Sequence, residues 1–220
     1  ADGYPTALPP GASAGTLVLT EQAPETAPVI GGRYRLEWQG SGTVVVTGGR
    51  AQTQGANWIE FDYTPTGNNM VDIQIKATAP GNHVRGMRCY MTAHAKLVAE
   101  GKRVHPAFAA VWGGVKLLRF MDWMATNNST VTEWADTRPD GSVRETDYGD
   151  VAQGASVETM VALANQVKAD AWFTLPHGAS DDYIRTFATY VRDHLAEGLV
   201  ARFEFSNEVW NWGFDQAHYA

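Results

Sequence analysis

A short segment near the end of the chain, residues 205–212, combines a carboxyl group, an amide and two indoles. Glu208 follows Asn207 directly, and Trp210 and Trp212 come after it. A carboxyl group walled by indoles loses part of its hydration, which favours the protonated acid and suits general acid catalysis near neutral pH. The Asn207 amide can hold a hydroxyl group. The alternative is a surface or helix-start carboxylate beside tryptophans that fill the core.

Other polar and aromatic side chains stand where predicted strands end: Arg119, Asp122, Trp123 and His177. In parallel α/β architectures the carboxyl ends of the strands form the face that carries active sites. We therefore expect these side chains to lie near Asn207 and Glu208. For Asp122, capping of the following loop is an equal alternative.

The second half of the chain must supply those strands, and its pattern alternates strand and helix, which predicts a parallel sheet. Ser156 and Ser180 each precede a helical apolar pattern and suit N-caps, and Gly198 is expected to end the second helix. An eight-stranded barrel needs about 250 residues, so the second half suffices for about half a barrel or an open sheet. The predicted strands are 84–91, 115–121, 171–175 and 200–206.

The first half, residues 1–83, is rich in Gly, Pro, Thr and Val and has short alternating runs between turn signals. This pattern predicts a small antiparallel β-sandwich. Trp38, Trp58 and Tyr63 could form a stacking platform, although alternation must turn some of them into the core. We expect an accessory or scaffold domain at 1–83 and an α/β domain at 84–220.

The segment Phe205–Trp212 resembles the Asn-Glu signature at the end of the fourth barrel strand in clan A glycoside hydrolases, which are retaining, cellulase-like (β/α)₈ enzymes. Leu118–Trp123 is similar to their second strand end, and Leu175–His177 to the third. The resemblance covers residues 84–220 and implies the first half, about four βα units, of a TIM-type barrel.

The resemblance also implies roles for individual residues. Glu208 would be the acid/base, Asn207 would bind the sugar 2-hydroxyl, and Arg119 would support the nucleophile. The remaining expected substrate-binding residues are His177, Trp210, Trp212, Asp122 and Trp123. The substrate would be a β-linked polysaccharide or oligosaccharide. The alternative function is a non-catalytic carbohydrate-binding protein with a degenerate barrel.

Retaining hydrolysis needs a second carboxylate about 5–5.5 Å from the first. In the resembled enzymes it is a glutamate at the end of the seventh strand, which these 220 residues do not include. We therefore expect the nucleophile on a C-terminal remainder of the barrel, from the same gene product or a second fragment. The isolated chain would then lack activity.

Composition excludes several other classes of protein. A net charge of −7 argues against nucleic acid or an anionic membrane as the main partner. The histidines lack metal-ligand spacing, so neither a metal nor another cofactor is expected. The single cysteine, Cys89, is expected to be buried and inert. The small, polar start suits a secreted or periplasmic protein.

No Gly-x-Gly-x-x-Gly motif opens a helix, which disfavours a nucleotide-binding oxidoreductase. The long polar loop after 115–121 contains three further residues that could reach a sugar, although solvated loop charges are the simpler interpretation: Asp147, Tyr148 and Asp150.

Overall fold

The computed structural model describes residues 3–142 and 153–220. The chain has a mixed α/β fold with antiparallel sheets and divides into two compact units, Ala1–Gly101 and Lys102–Ala220. The predicted boundary between residues 83 and 84 falls inside the first unit.

The strands of the first unit form two antiparallel sheets. Their bounds are β1 Ala14–Val18, β2 Gly32–Gln39, β3 Gly42–Thr47, β4 Arg50–Gly55, β5 Trp58–Tyr63, β6 Val71–Thr78 and β7 Arg85–Met91. One sheet has the order β1-β6-β3 and the other the order β4-β5-β2-β7. Helices α1 (Ala27–Ile30) and α2 (Ala95–Ala99) each follow a 3₁₀ turn, at Pro24–Thr26 and Thr92–His94.

The two sheets share one apolar core. Tyr34 and Phe61 come from the four-stranded sheet, and Val46 and Ile73 come from the three-stranded sheet. Phe61 is fully buried, and Tyr34 stacks on it with ring centroids 5.6 Å apart. Because side chains alternate between the two faces of a strand, the charged residues of β2 and β5 face away from this core.

The prediction that residues 84–91 form the first parallel strand is wrong. Strand β7 pairs antiparallel with β2, with Tyr34 opposite Met91 and Leu36 opposite Cys89. Val84, just before β7, is fully buried in the core of the first unit. An apolar run of this length specifies a strand but not its partner, so its sheet is set by tertiary packing.

Cys89 was expected to be buried, but its surface is exposed. Desolvation by the surrounding protein nevertheless raises the pKa of its thiol to about 11. The thiol is therefore protonated at neutral pH, as expected for an unreactive cysteine.

The second unit contains a parallel sheet covered by helices. Its strands are β8 Leu117–Arg119, β9 Asp170–Leu175 and β10 Ala201–Phe205, in the order β10-β9-β8. Its helices are α3 Pro106–Val111, α4 Val157–Val167, α5 Asp181–His194 and α6 Asp215–Tyr219, with a 3₁₀ turn at Trp134–Asp136. Both edges of this sheet are open, and no sheet closes on itself in the described parts of the chain.

Helices α4 and α5 begin at the predicted caps. The Ser156 hydroxyl accepts from the Thr159 amide at 3.3 Å, and the Ser180 hydroxyl accepts from the Tyr183 amide at 3.2 Å. Such caps contribute about 1 kcal/mol each. Helix α5 ends at His194, so Gly198 lies in the following turn rather than at the helix end.

The helices pack on one face of the parallel sheet. Met160 of α4 and Phe187 of α5 join Ala171 and Phe173 of β9 in a second core. By strand alternation, Trp172 and Thr174 point to the opposite face. That opposite face and the carboxyl ends of the strands position the candidate site.

Candidate functional site

The carboxyl edge of the parallel sheet brings together residues from β8 and from the turn after β10. Arg119, the last residue of β8, donates from Nη2 to Asn207 Oδ1 at 2.9 Å. It also donates from Nε and Nη2 to Glu204 Oε2, at 3.2 and 2.8 Å. The guanidinium crosses the intervening strand with its Cζ 5.1 Å from the centroid of the Trp172 ring. The predicted neighbours Arg119 and Asn207 are therefore in direct contact.

Asn207 is almost fully buried, with 4% of its surface exposed. Its Nδ2 donates to Asn127 Oδ1 at 2.9 Å, so both ends of the amide are bonded. Gln216 of α6, which is fully buried, donates to the same Asn127 oxygen at 2.7 Å and to the Asn207 carbonyl at 2.8 Å. This group forms a continuous polar network, which we call the amide network: Arg119, Asn207, Asn127 and Gln216.

Glu208 lies in a turn with unusual backbone geometry. Ser206 and Glu208 have φ values of 55° and 43°, in the left-handed region that residues with a Cβ rarely occupy. The Ser206 amide donates to the Leu175 carbonyl at 2.8 Å, which ties this turn to the end of β9. Non-glycine residues in this region store strain that is concentrated at functional sites in many proteins.

The Glu208 side chain is partly exposed, and its Oε2 accepts from Asn211 Nδ2 at 2.8 Å. The Glu208 carbonyl accepts from the Asn211 amide at 2.8 Å, so one local turn fixes both the main chain and the carboxylate. The carboxylate therefore stands at the strand end, as predicted, with an amide partner three residues later.

Trp210 and Trp212 do not wall Glu208 as expected, because their side chains are 72% and 71% exposed. The alternative that they fill the core is wrong for the same reason. Trp212 makes an edge contact with His218, with ring centroids 5.0 Å apart. Two indoles in solvent beside a carboxylate are free to contact an apolar ligand face.

His177 follows β9, as predicted, and packs edge-on against Tyr219 of α6 with ring centroids 5.1 Å apart. Its Nδ1 atom is buried and has no hydrogen-bond partner among residues 3–142 and 153–220. An unpaired buried nitrogen costs free energy, so a ligand group that hydrogen-bonds to it would be favoured.

Two residues expected to bind substrate, Trp123 and Asp122, lie where the structure does not support that role. Trp123 packs against the core of the second unit, with its ring 5.8 Å from that of Phe120. Asp122 is exposed, and its carbonyl accepts from the Ala125 amide at 3.1 Å in a local turn. The structure brings neither side chain into the amide network.

The possible platform in the first unit does not form either. Tyr63 is buried in the core, and its hydroxyl donates to the Leu19 carbonyl at 2.8 Å. Trp38 packs against the same core. Trp58 faces outward, but the Arg35 guanidinium covers its ring at 4.5 Å. Asp147, Tyr148 and Asp150 lie outside the described residues.

Sequence reasoning missed Asn127, Gln216 and Glu204. Asn127 stands in an irregular polar loop, and Gln216 in a helix of five residues, so neither belongs to a periodic pattern. Thr126, next to Asn127, donates to the Thr174 carbonyl at 3.1 Å and attaches the loop to β9. Of these three residues only Glu204 belongs to a recognisable pattern: it alternates with Phe203 and Phe205 in β10, which places its side chain on the opposite face of the sheet.

Within residues 3–142 and 153–220, no three His, Cys, Asp or Glu side chains come together as a metal site. In the same residues, no helix has the length and apolar character needed to cross a bilayer. No protein family, curated protein or solved structure matches the chain.

Proposed function

We propose that the chain is part of a retaining glycoside hydrolase that cleaves a β-linked polysaccharide or oligosaccharide. The observation that carries the proposal is the contact between Arg119 and Asn207 at a parallel sheet edge, with Glu208 next in the chain. The ends of β8, β9 and β10 are the three that resemble the second, third and fourth strand ends of clan A enzymes, whereas residues 84–91, expected as the first strand, belong to the first unit. On this proposal the first unit is a β-sandwich, and the second begins a (β/α)₈ barrel.

In the proposed reaction Glu208 protonates the glycosidic oxygen while a second carboxylate attacks the anomeric carbon. The bond between that carbon and the leaving oxygen breaks, and a glycosyl ester forms. Glu208, now ionised, takes a proton from the water that attacks the same carbon, which releases the sugar and restores both carboxyl groups. Asn207 would hold a sugar hydroxyl, and Trp210 and Trp212 would contact ring faces.

The second carboxylate is proposed to come from a remainder of the barrel that continues the sheet beyond β10. Among the described strands β10 has a neighbour on one side only, and Phe203 and Phe205 on its surface are 44% and 56% exposed. A groove of about 310 Å³ runs between α5 and β10 beside Phe203. A further parallel strand and its helix would cover both features. A polysaccharide substrate also suits a secreted or periplasmic protein.

The proposed function is tested by assaying native material that contains this chain together with the remainder of the barrel on β-linked glucan, xylan and mannan oligosaccharides, with binding measured in parallel. We expect Glu208→Gln to abolish hydrolysis and to leave binding nearly intact. Glu60→Gln, in the first unit, is the matched control. Unchanged turnover in Glu208→Gln would overturn the role of Glu208. Release of a second polypeptide when native material is denatured, detected by intact mass, would identify the remainder of the barrel.

The two exposed indoles favour a second candidate, a carbohydrate-binding protein without catalysis. Apolar contact with sugar rings needs no second carboxylate. Tight glycan binding by a chain that copurifies with no partner and hydrolyses nothing would favour this candidate.

A further inference from the structure

Hydrogen bonds at the two ends of the amide network fix which way each side-chain amide in it is turned. At one end, Gln216 Oε1 accepts from the main-chain amide of Asn128 at 3.0 Å. Because a main-chain N–H can only donate, the oxygen of Gln216 must face Asn128 and its Nε2 must face the other way. That Nε2 then donates its two hydrogens to Asn127 Oδ1 and to the Asn207 carbonyl.

The same argument determines the orientation of the Asn127 amide and then that of the Asn207 amide. Asn127 must turn its oxygen toward Gln216, and this oxygen also faces Asn207 at 2.9 Å. Asn207 must therefore present Nδ2 to Asn127 and Oδ1 to Arg119. Arg119 has only donors, so it requires the same orientation from the opposite end. Flipping one amide would place two donors or two acceptors against each other.

We infer that Gln216 and Asn127 are positioning residues that hold Asn207 with a nitrogen, rather than an oxygen, available to a ligand. Arg119 uses the Asn207 oxygen, and Asn127 accepts one of the two Nδ2 hydrogens. Among the described residues, the second hydrogen has no protein acceptor. The site would thus select a ligand atom that accepts a hydrogen bond at this position, such as a hydroxyl oxygen. The inference rests on the proposed function only in taking Asn207 as a ligand-binding residue.

The network also supports the strained turn. The bond from Gln216 to the Asn207 carbonyl lies between the two left-handed residues, Ser206 and Glu208. The Asp215 amide donates to Asn128 Oδ1 at 2.8 Å, so the start of α6 is attached to the same loop. Gln216 therefore links α6, the loop after β8 and the turn after β10.

The decisive variant is Gln216→Glu, which keeps the shape but leaves at most one hydrogen to donate where Gln216 has two. The carboxyl group would face two acceptors, Asn127 Oδ1 and the Asn207 carbonyl, so no orientation of the three side chains satisfies all of them. We expect the side-chain NH₂ signals of Asn207 in ¹⁵N NMR spectra of the full chain to shift or to split into two sets. We also expect binding of a β-linked glucan hexamer to weaken about tenfold or more, since a reoriented Asn207 amide no longer donates to the ligand.

Two variants separate positioning from general damage. Asn127→Asp retains an oxygen that accepts from both Gln216 and Asn207, so it should keep the Asn207 signals and most of the binding. Gln166→Glu makes the same chemical change in α4, where the amide donates to the Val104 carbonyl at 3.1 Å, and should leave both readouts unchanged. If Gln216→Glu does not fold, Asn127→Ala in the partly exposed loop removes the bridge and should shift the signals.

The two possible failures are distinguishable. Unchanged Asn207 signals in Gln216→Glu, or in Asn127→Ala, would overturn the positioning role whatever the protein binds. Shifted signals in a chain that binds no glycan would support the amide network and count against the proposed function.

Discussion

The two units contain the same trio of side chains in different settings. In the first unit Arg35 covers Trp58 at 4.5 Å and pairs with Glu60 at 2.9 Å. In the second, Arg119 covers Trp172 at 5.1 Å and pairs with Glu204 at 2.8 Å. An arginine, a glutamate and an indole on a sheet face are thus not by themselves a sign of function.

The difference lies in where the remaining arginine donors go. Arg35 also pairs with Glu37, within a ladder of three cations and three carboxylates that pair with one another: Arg33, Arg35, Arg88, Glu37, Glu60 and Asp62. Arg119 instead donates to the neutral amide of Asn207 at a strand end. The ion pairs of the ladder join only its own members, whereas the second trio continues into a turn that carries a carboxylate and two exposed indoles.

Removing each arginine is the strongest way to break the comparison. Arg119→Ala leaves Asn207 and Glu204 without their cationic partner, so we expect binding of a glucan hexamer to fall about 100-fold, as for a loss of 2–3 kcal/mol. Arg35→Ala should lower the unfolding free energy and leave that binding unchanged. Titration calorimetry with chemical unfolding measures both. Equal effects of the two variants on binding would contradict the distinction.

The indoles provide a second test. Trp212→Ala removes an exposed ring, so we expect stability to change little and glycan binding to weaken about tenfold, the equivalent of about 1.4 kcal/mol of lost apolar contact. Trp58→Ala removes a ring already covered by Arg35, and should lower stability without affecting binding. Tryptophan fluorescence on glycan addition reports the contact directly. If glycan addition changes the fluorescence of Trp212→Ala as much as that of the unchanged chain, the Trp212 ring does not contact the glycan.

Backbone strain sharpens the comparison further. Ser206→Gly relieves a left-handed φ of 55° and removes a buried hydroxyl that has no hydrogen-bond partner in the described part of the chain, so we expect a gain of about 1 kcal/mol in unfolding free energy. Ala51→Gly, at φ 48° in β4, relieves backbone strain without removing a hydroxyl, so its unfolding free energy should increase by less. Urea unfolding measures both differences. A loss of stability in Ser206→Gly would show that the turn is not strained.

The smallest expected effect concerns acid stability. The pKa of Asp170, at the start of β9, is lowered by its hydrogen bond from Arg202 and next by that from the Val200 amide. A lowered pKa in the folded state adds stability above the ordinary aspartate pKa, and that stability is lost as the pH falls through the folded value. Asp170→Asn should flatten the acid limb of a plot of unfolding free energy against pH. If the acid part of the plot is the same in Asp170→Asn as in the unchanged chain, Asp170 does not contribute to acid stability.

The sequence predicts most strands of the first unit because alternation and β-branched runs are local signals. It misses β4, whose residues Arg50–Gly55 are polar and exposed on both faces, since only pairing with β5 makes them a strand. It assigns β7 to the wrong sheet because a strand's partner is not encoded in its own residues. In α5 the apolar pattern alone does not identify the buried face, because Ile184 is exposed while Tyr183, Phe187 and Val191 are buried.

At the candidate site, strand-end reasoning predicts that Arg119 lies near Asn207, because the parallel strands of one sheet place their carboxyl ends at the same edge. It cannot predict the amide network. Asn127 and Gln216 are single amides without spacing rules, and their hydrogen bond joins residues 89 positions apart. The sequence also cannot predict that Trp210 and Trp212 are exposed, since tryptophan suits both cores and binding surfaces.

Each strand of the parallel sheet pairs with its predecessor in the chain, so β8, β9 and β10 can assemble in the order in which a ribosome releases them. Helices α4 and α5 complete each step before the next strand appears. The open side of β10 exposes unpaired main-chain N–H and C=O groups, which can pair with a strand of another molecule. The last strand of this sheet to leave the ribosome is therefore also a strand at which chains can aggregate unless its edge is covered.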